Sequence, residues 1–363
     1  MDTSDPDIVF DQNGVCSHCH RYSSELPKRV FHGEIGREKL NILVQQIKRA
    51  GKGKEYDCII GVSGGVDSTY VAYLTKRLGL RPLAIHFDNG WNSELAVANI
   101  EKVLDRLGID LSTYVIDWNE FRDLQLSFLK ASTPDGEIPT DHAINALLFR
   151  EAAKRGIKYI VSGMNFATES MAVKAWAYGH SDWKYIRSIH NLFGTEKLKN
   201  YPKYNFIDLF KWTFIDQIKS VSILNYIDYN KDQVMDILQK ELDWIYYGGK
   251  HYESVYTRFF QGYILPVKFG IDKRRGHLSD LINSGQLSRE EALNEIGKVG
   301  YPIELQVQDK LFVMKKFDLD SEEFDFLMQQ LPKSYKDYPN NERVVQRIKK
   351  IVNYLRHKDL YSK

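Results

Sequence analysis

The feature that most constrains this chain is the run Tyr56 to Val62 (YDCIIGV), followed at once by Ser63-Gly64-Gly65-Val66-Asp67-Ser68. A short, continuous apolar run with a Gly/Ser turn behind it reads as a strand buried on both faces of a parallel sheet. Residues 66–78 have a helical pattern, so the turn lies where a strand hands over to a helix N-terminus. Gly64 and Gly65 let the backbone turn tightly and bring N–H groups close to a ligand. Ser63 and Ser68 add hydroxyl donors, and the helix N-terminus adds partial positive charge. Such a turn binds phosphate. It is neither the Walker loop, which needs Lys-Ser/Thr after GxxxxG, nor GxGxxG.

The same alternation continues. Strands are predicted at 81–87 (RPLAIHF), 111–116 and 158–162, and helices at 36–50, 93–107, after residue 116, and at 141–155. Strand and helix in turn imply an α/β fold whose parallel sheet is covered on both faces. Residues 1–35 read as short turns around a small strand, Ile8 to Phe10, too few for a core. Residues 172–206, rich in Trp, Tyr, His and Gly, read as a long loop over a site. Beyond it, helices are predicted at 214–226, 231–243 (capped by Asn230), 286–298 (opened by the capping box Ser288 to Glu291), 320–330 and 340–357. The stretch YILPVKFGIDKR reads as strand-like. The expected organisation is an N-terminal segment 1–35, a nucleotide-binding domain 36–210 and a mainly helical part 211–363.

Charge and cysteine content limit the partners. Fifty Lys+Arg against 48 Asp+Glu leave a net charge of +2, so no global field favours nucleic acid or an anionic membrane. No run of about 18 apolar residues is present to span a bilayer. The acidic start MDTSDPDIVFDQNG lacks the order of a signal peptide. The three cysteines, Cys16, Cys19 and Cys58, do not make a secreted disulfide framework. The expected location is cytoplasmic.

SGGVDS after an apolar strand resembles the signature of the ATP pyrophosphatase (PP-loop) superfamily, whose fold is the adenine nucleotide alpha hydrolase-like parallel sheet. More of the chain is similar to the N-acetyl sugar amidotransferases of the WbpG and PseA types. The stretches that carry this are MDTSDPDIVFDQNGVCSHC, PTDHAINALLFREA, GMNFATE, KHYESVYTRFFQGYILPVKFGIDKRRGHLSDLI and GQLSREEAL. The resemblance implies ATP and Mg2+ as cofactors and an N-acetyl sugar as substrate, in lipopolysaccharide O-antigen or flagellin (pseudaminic acid) glycan synthesis. The acetamido oxygen would be adenylated with loss of pyrophosphate, and ammonia would then displace AMP to leave an acetamidino group. It also implies partners, glutaminase and cyclase subunits of the histidine-biosynthesis type, that supply the ammonia. Rival readings are a PP-loop tRNA thiolase or lysidine-type synthetase, and a non-catalytic nucleotide-binding scaffold for a glutaminase complex.

Within that resemblance Ser63, Gly64, Gly65, Val66, Asp67 and Ser68 cradle the phosphates, and Asp67 either caps its helix or serves magnesium. His86, Phe87 and Asp88 end the second strand, where adenine would seat against backbone, with the switch point expected outside strands one and two. Gly163 and Asn165 would approach the nucleotide, and Glu169 would hold magnesium. A cationic, aromatic segment offers Lys268, Lys273 and Arg274 for pyrophosphate, then Lys250 and Arg258 for substrate; a solvated basic face or an RNA surface are the alternatives. Asp141 is a helix cap or faces the substrate, and His142 is a candidate base. His180, Asp182, His190 and Glu196 in the long loop are expected in core or surface roles. Cys16 and Cys19 form a CxxC, half a zinc site. Relatives have a second CxxC just before MDTSDP. The expectation is a start placed too far downstream, a missing metal, or Zn2+ completed by His18 or His20.

Overall fold

The computed structural model describes residues 1–347, so most of the helix expected at 340–357 lies outside the described residues. Five strands, β1 (Cys58–Gly61), β2 (Pro82–Asp88), β3 (Leu111–Val115), β4 (Tyr159–Ser162) and β5 (Lys219–Ser222), form one parallel sheet in the order β3-β2-β1-β4-β5. Ile59 of β1 lies opposite Leu83 of β2 and Ile160 of β4. Because alternate side chains face opposite ways, Ile59, Leu83, Ile85 and Ile160 enter one core, while Cys58, Ile60, Ala84 and Val161 enter another. The first core is closed by the helices Trp118–Lys130, Ile138–Lys154 and Trp183–Phe193. Gly33–Ala50, Val66–Arg77, Glu94–Leu107 and Lys231–Leu242 close the second. The fold is α/β. Cys58, with no exposure, is a small apolar filler whose thiol burial pushes up to about 12.

The strand order reverses between β1 and β4, since β2 and β3 lie to one side of β1 and β4 and β5 to the other. The switch point is therefore at β1/β4, a correction to the expected β1/β2, and ligands of open α/β sheets bind outside the strand ends at that crevice. The last strand is a second difference. Ile218, Val221 and Leu224 mimic a helical stripe, yet Lys219–Ser222 pairs with β4 along its main chain. The sheet thus runs past the expected boundary at residue 210. The strand-like stretch from Tyr263 is helical instead. A wide turn, Phe260–Ile264, leads into Leu265–Phe269, where Pro266 sits in the first turn and Gly270 closes at φ 66°. Burial of Phe259, Phe260, Ile264 and Leu265 overrides their β-like composition. Helices Ser17–Arg29, Trp183–Phe193, Arg274–Asn283 and Ile303–Phe317 were not expected. The first buries only Tyr22, so its sequence shows little apolar periodicity.

His142 is a structural hub rather than a base facing substrate, which corrects its expected role. It is fully buried and stacks on Tyr204 at 4.3 Å and 8°. Its Nδ1–H donates to the His180 carbonyl (2.6 Å), and Nε2 accepts from the Tyr204 N–H (3.2 Å). With both nitrogens used by the neutral ring, burial pushes its pKa from 6.5 down to about 4. The unfolded chain therefore takes up a proton that the folded one refuses, and stability drops as pH falls from 6.5 towards 4. Urea unfolding across that window should show this slope. A His142→Gln variant should lose about one proton's worth, roughly 1.4 kcal/mol per pH unit.

Candidate active site

At the end of β1 the backbone enters the phosphate turn with Gly64 at φ +80°, where a Cβ would stand 2.6 Å from the Ala96 carbonyl. Only glycine fits there. The Trp244 indole donates to the Gly64 carbonyl (3.1 Å), and the Ser63 and Ser68 hydroxyls lie 3.2 Å apart. Gly65 caps the helix Val66–Arg77 with no side chain, leaving N–H groups at its start for a ligand. The Val66 N–H donates to the Tyr247 hydroxyl (3.3 Å). A phosphate oxygen would take that position by displacing a neutral hydroxyl.

In the first turn of the helix, Asp67 accepts a hydrogen bond from the Tyr229 hydroxyl. Burial and the nearby Glu169 carboxylate raise its pKa above the ordinary range, against the Tyr229 bond and the charges of Lys231 and Lys250. The turn after β4 reaches the same place: a Cβ on Gly163 would lie 3.1 Å from the Asp67 backbone carbon. Asn165 caps the short helix Phe166–Glu169 through Thr168 N–H (2.9 Å), and its Nδ2 is buried with no partner among the described residues. The Lys250 ammonium lies 3.4 Å from Glu169 Oε1 and 3.3 Å from His277 Nδ1. Burial, with Lys250 and Lys231 beside it, pushes His277 down to about 3, so it is a neutral acceptor. Asp67 and Glu169 are hard oxygen donors whose charges act on one another. Magnesium takes one or two such carboxylates and completes its shell with phosphate and water, so these residues suit it.

A second group adjoins the first. Lys273 pairs with Glu137 (3.2 Å), whose Oε2 also accepts from Gln261 (2.8 Å). Asp141 is open to solvent, yet the protein around it and the Glu137 charge raise its pKa, against His180, Lys273 and His251. His251 is felt by both Asp141 and His277 and lies 3.6 Å from Glu253, which borders Gly65. Burial raises the Glu253 pKa, but the His251 bond and charge lower it further, so it stays ionised. The two groups thus share one rim above β1 and β4.

A family profile described as "LPS biosynthesis protein WbpG-like, C-terminal domain" matches residues 253–352, and one described as "NAD synthase" matches 37–133. The two matches support a WbpG-type member of the PP-loop ATP pyrophosphatase superfamily. It is 31% identical over 166 residues to a glutamine-hydrolysing GMP synthase of Pyrobaculum aerophilum, covering 43% of this chain and 30% of that one. It is 32% identical over 120 residues to the tRNA-specific 2-thiouridylase MnmA of Proteus mirabilis, covering 29% and 32%. The chain thus spans about a third of the length of these relatives. Among solved structures, NMN synthetase from Francisella tularensis is 16% identical, covering 56% of this chain and 86% of that one, with a TM-score of 0.30.

In this PP-loop chain the expected cations separate into two sets. Lys250 and Lys273 join the rim, whereas Lys268, Arg274 and Arg258 do not. Lys268 donates to the Leu327 carbonyl among apolar side chains, and burial lowers its pKa to about 8. Arg274 grips Asp272 (2.8 Å) and the carbonyls of Ile296 and Lys298. Arg258 pairs with Asp309 through two bonds, 2.5 and 2.7 Å. His86 is used internally, between the Val62 carbonyl and Asn92. Phe87 packs in the core, and Asp88 accepts from Gly90 N–H, so only their backbone is left to meet adenine. His190 is paired with Asp123, and Asp182 caps Trp183–Phe193. The Cys16 and Cys19 sulfurs lie 3.4 Å apart, while His18 and His20 are turned to Asp5 and Asp11. No group of three metal ligands occurs among the described residues, so they do not fit a four-ligand zinc site. Tyr229, Lys231 and Tyr247 lie in none of the quoted stretches and were missed, and Glu253, inside the stretch that opens at Lys250, was not singled out.

No helix among the described residues is long and apolar enough to cross a membrane. Gly64→Ala should lower stability by about 1–3 kcal/mol, because a side chain at that φ is strained, and thermal unfolding with and without ATP should show ligand stabilisation lost as well.

Proposed function

We propose that the chain is an ATP-dependent amidotransferase that converts an acetamido group of an N-acetyl sugar, carried on a nucleotide, into an acetamidino group. The observation that carries this reading is the meeting of Asp67, Glu169, Lys231 and Lys250 with the phosphate turn at the strand switch point. The amide oxygen attacks the ATP α-phosphorus; an O–P bond forms, the bond to the β-phosphate breaks, and pyrophosphate leaves. Such displacement needs positioning and charge neutralisation more than a protein nucleophile. Serine hydroxyls and helix N–H groups hold the phosphates, and Lys250 and Lys231 balance the charge that grows on the departing pyrophosphate. Magnesium bound at Asp67 and Glu169 would add Lewis-acid neutralisation. Ammonia then adds to the imidate carbon, AMP leaves, and the proton lost from nitrogen passes to Asp141, the exposed carboxylate at the start of the helix Ile138–Lys154. A glutaminase with a cyclase of the histidine-biosynthesis type would supply the ammonia. The match to a glutamine-hydrolysing GMP synthase supports ammonia as nucleophile. Against thiolation, Cys58 is buried in β1 and Cys16 and Cys19 sit in the N-terminal segment.

The test combines ATP, magnesium, ammonium and a UDP-diacetamido sugar, following AMP and reading replacement of oxygen by NH in the sugar by mass spectrometry. No AMP with any acetamido sugar would sink the reading. Lys250→Ala should slow AMP release about 100-fold or more, as loss of one transition-state donor does, while Lys268→Ala should turn over normally.

A further inference from the structure

A groove of about 610 Å³, lined by Trp118, Arg122, Phe312, Lys315, Lys316 and Asp318, opens beside the ends of β2 and β3. Its volume is that of a small-molecule site, about 300–1,000 Å³. Trp118 and Arg122 stand on the first turns of the helix that follows β3, and the other four residues come from Ile303–Phe317 and its cap. The Lys316 ammonium is held 4.0 Å over the Trp118 ring and 5.6 Å over Trp91. Gly90, at φ +75°, lets the chain leaving β2 pass beneath: a Cβ there would meet Lys316 Nζ at 3.2 Å and the Trp118 ring at 3.2 Å. Phe312 is 42% exposed and meets the Trp91 ring in a T-shaped contact, centroids 6.2 Å apart.

The cations in the groove are loosely tied, Lys316 through the faces of Trp118 and Trp91. Among the described residues Lys315 and Lys316 make no ion pair, and Arg122 reaches Asp318 only at 3.9 Å. Cations of this kind around an aromatic face complement a stacked base joined to phosphates. The position matters as well. β3 is two strands from β1, or about 10 Å at the usual spacing. The segment from β2 runs back to the phosphate turn, with Ser93 N–H donating to the Glu253 carbonyl (2.8 Å) beside Gly65.

We propose that this groove binds the nucleoside diphosphate half of the sugar nucleotide, with the base on Phe312 and the phosphates on Arg122, Lys315 and Lys316. That deepens the amidotransferase reading and rests on it for the identity of the substrate. A net charge of only +2 and a groove of single-nucleotide size favour a nucleotide over RNA.

Calorimetric titration with UDP, with the phosphate turn filled by magnesium and α,β-methylene ATP, tests the assignment. UDP should bind beside the analogue. Arg122→Ala and Phe312→Ala should each weaken it about tenfold, the cost of a lost charged or stacking contact, with circular dichroism unchanged. The proposal is overturned if UDP fails to bind, if the analogue excludes it, if the variants bind as tightly as the parent, or if oligouridylate binds at least tenfold tighter than UDP. The two readings part cleanly. UDP binding lost in the variants, with no AMP from any acetamido sugar, keeps the groove and ends the amidotransferase reading. AMP formation with an unchanged KM for the sugar nucleotide in the variants does the reverse.

Discussion

Everything at the rim depends on the contact between the Gly163 turn and the backbone of Asp67. It draws the ends of β1 and β4 together, and with them two carboxylates, Asp67 and Glu169, that repel one another in a poorly solvated place. Burial adds to the repulsion, since it also disfavours the charged form. The protein answers with Lys231, Lys250 and the Tyr229 hydroxyl, all from chain beyond β5. A site of this kind is poised for a cation and a polyphosphate, because both relieve charges that the fold leaves only partly balanced.

The segment from Trp244 to Glu253 ties the C-terminal part to the phosphate turn. Trp244 holds the Gly64 carbonyl, Tyr247 the Val66 amide, Lys250 the Glu169 carboxylate, and Glu253 lies against Gly65. Nucleotide entry must therefore rearrange at least the Tyr247 hydroxyl. The frame that carries this segment is fixed by arginines. The planar guanidinium of Arg258 makes a two-bond pair with Asp309, and that of Arg274 grips Asp272 and successive carbonyls. Breaking a buried pair like the first costs about 3–5 kcal/mol. Lys250 and Lys273 meet the site, while Arg258 and Arg274 hold the frame and Lys268, a lysine too, is spent on the Leu327 carbonyl.

The long aromatic segment after β4 shows a related split. Its composition suggests a cover over a ligand, yet much of its aromatic surface is consumed in stacking on His142 and in the first core, through Trp183, Tyr185, Tyr201 and Tyr204. His180, Tyr201 and Tyr204 of this segment lie close enough to Asp141 for their charges to act on one another. Aromatic content by itself does not distinguish a ligand wall from a core, since both lower free energy by removing the same apolar area from water.

Local signals determined much of this protein. Apolar runs of strand length, helical spacing and the SGGVDS turn define the first four strands and the phosphate site, because each is a short-range pattern with its own physical cause. The edge strand β5 escaped, as its four residues carry a pattern that a helix shares and only pairing with β4 decides between them. The same holds for the partners of Asp67. Tyr229, Lys231 and Lys250 lie more than 150 residues along the chain from it, and nothing in their local sequence encodes proximity. Which cations face phosphate, and which hold the frame, is settled by long-range packing, where burial and charge act through space rather than along the backbone.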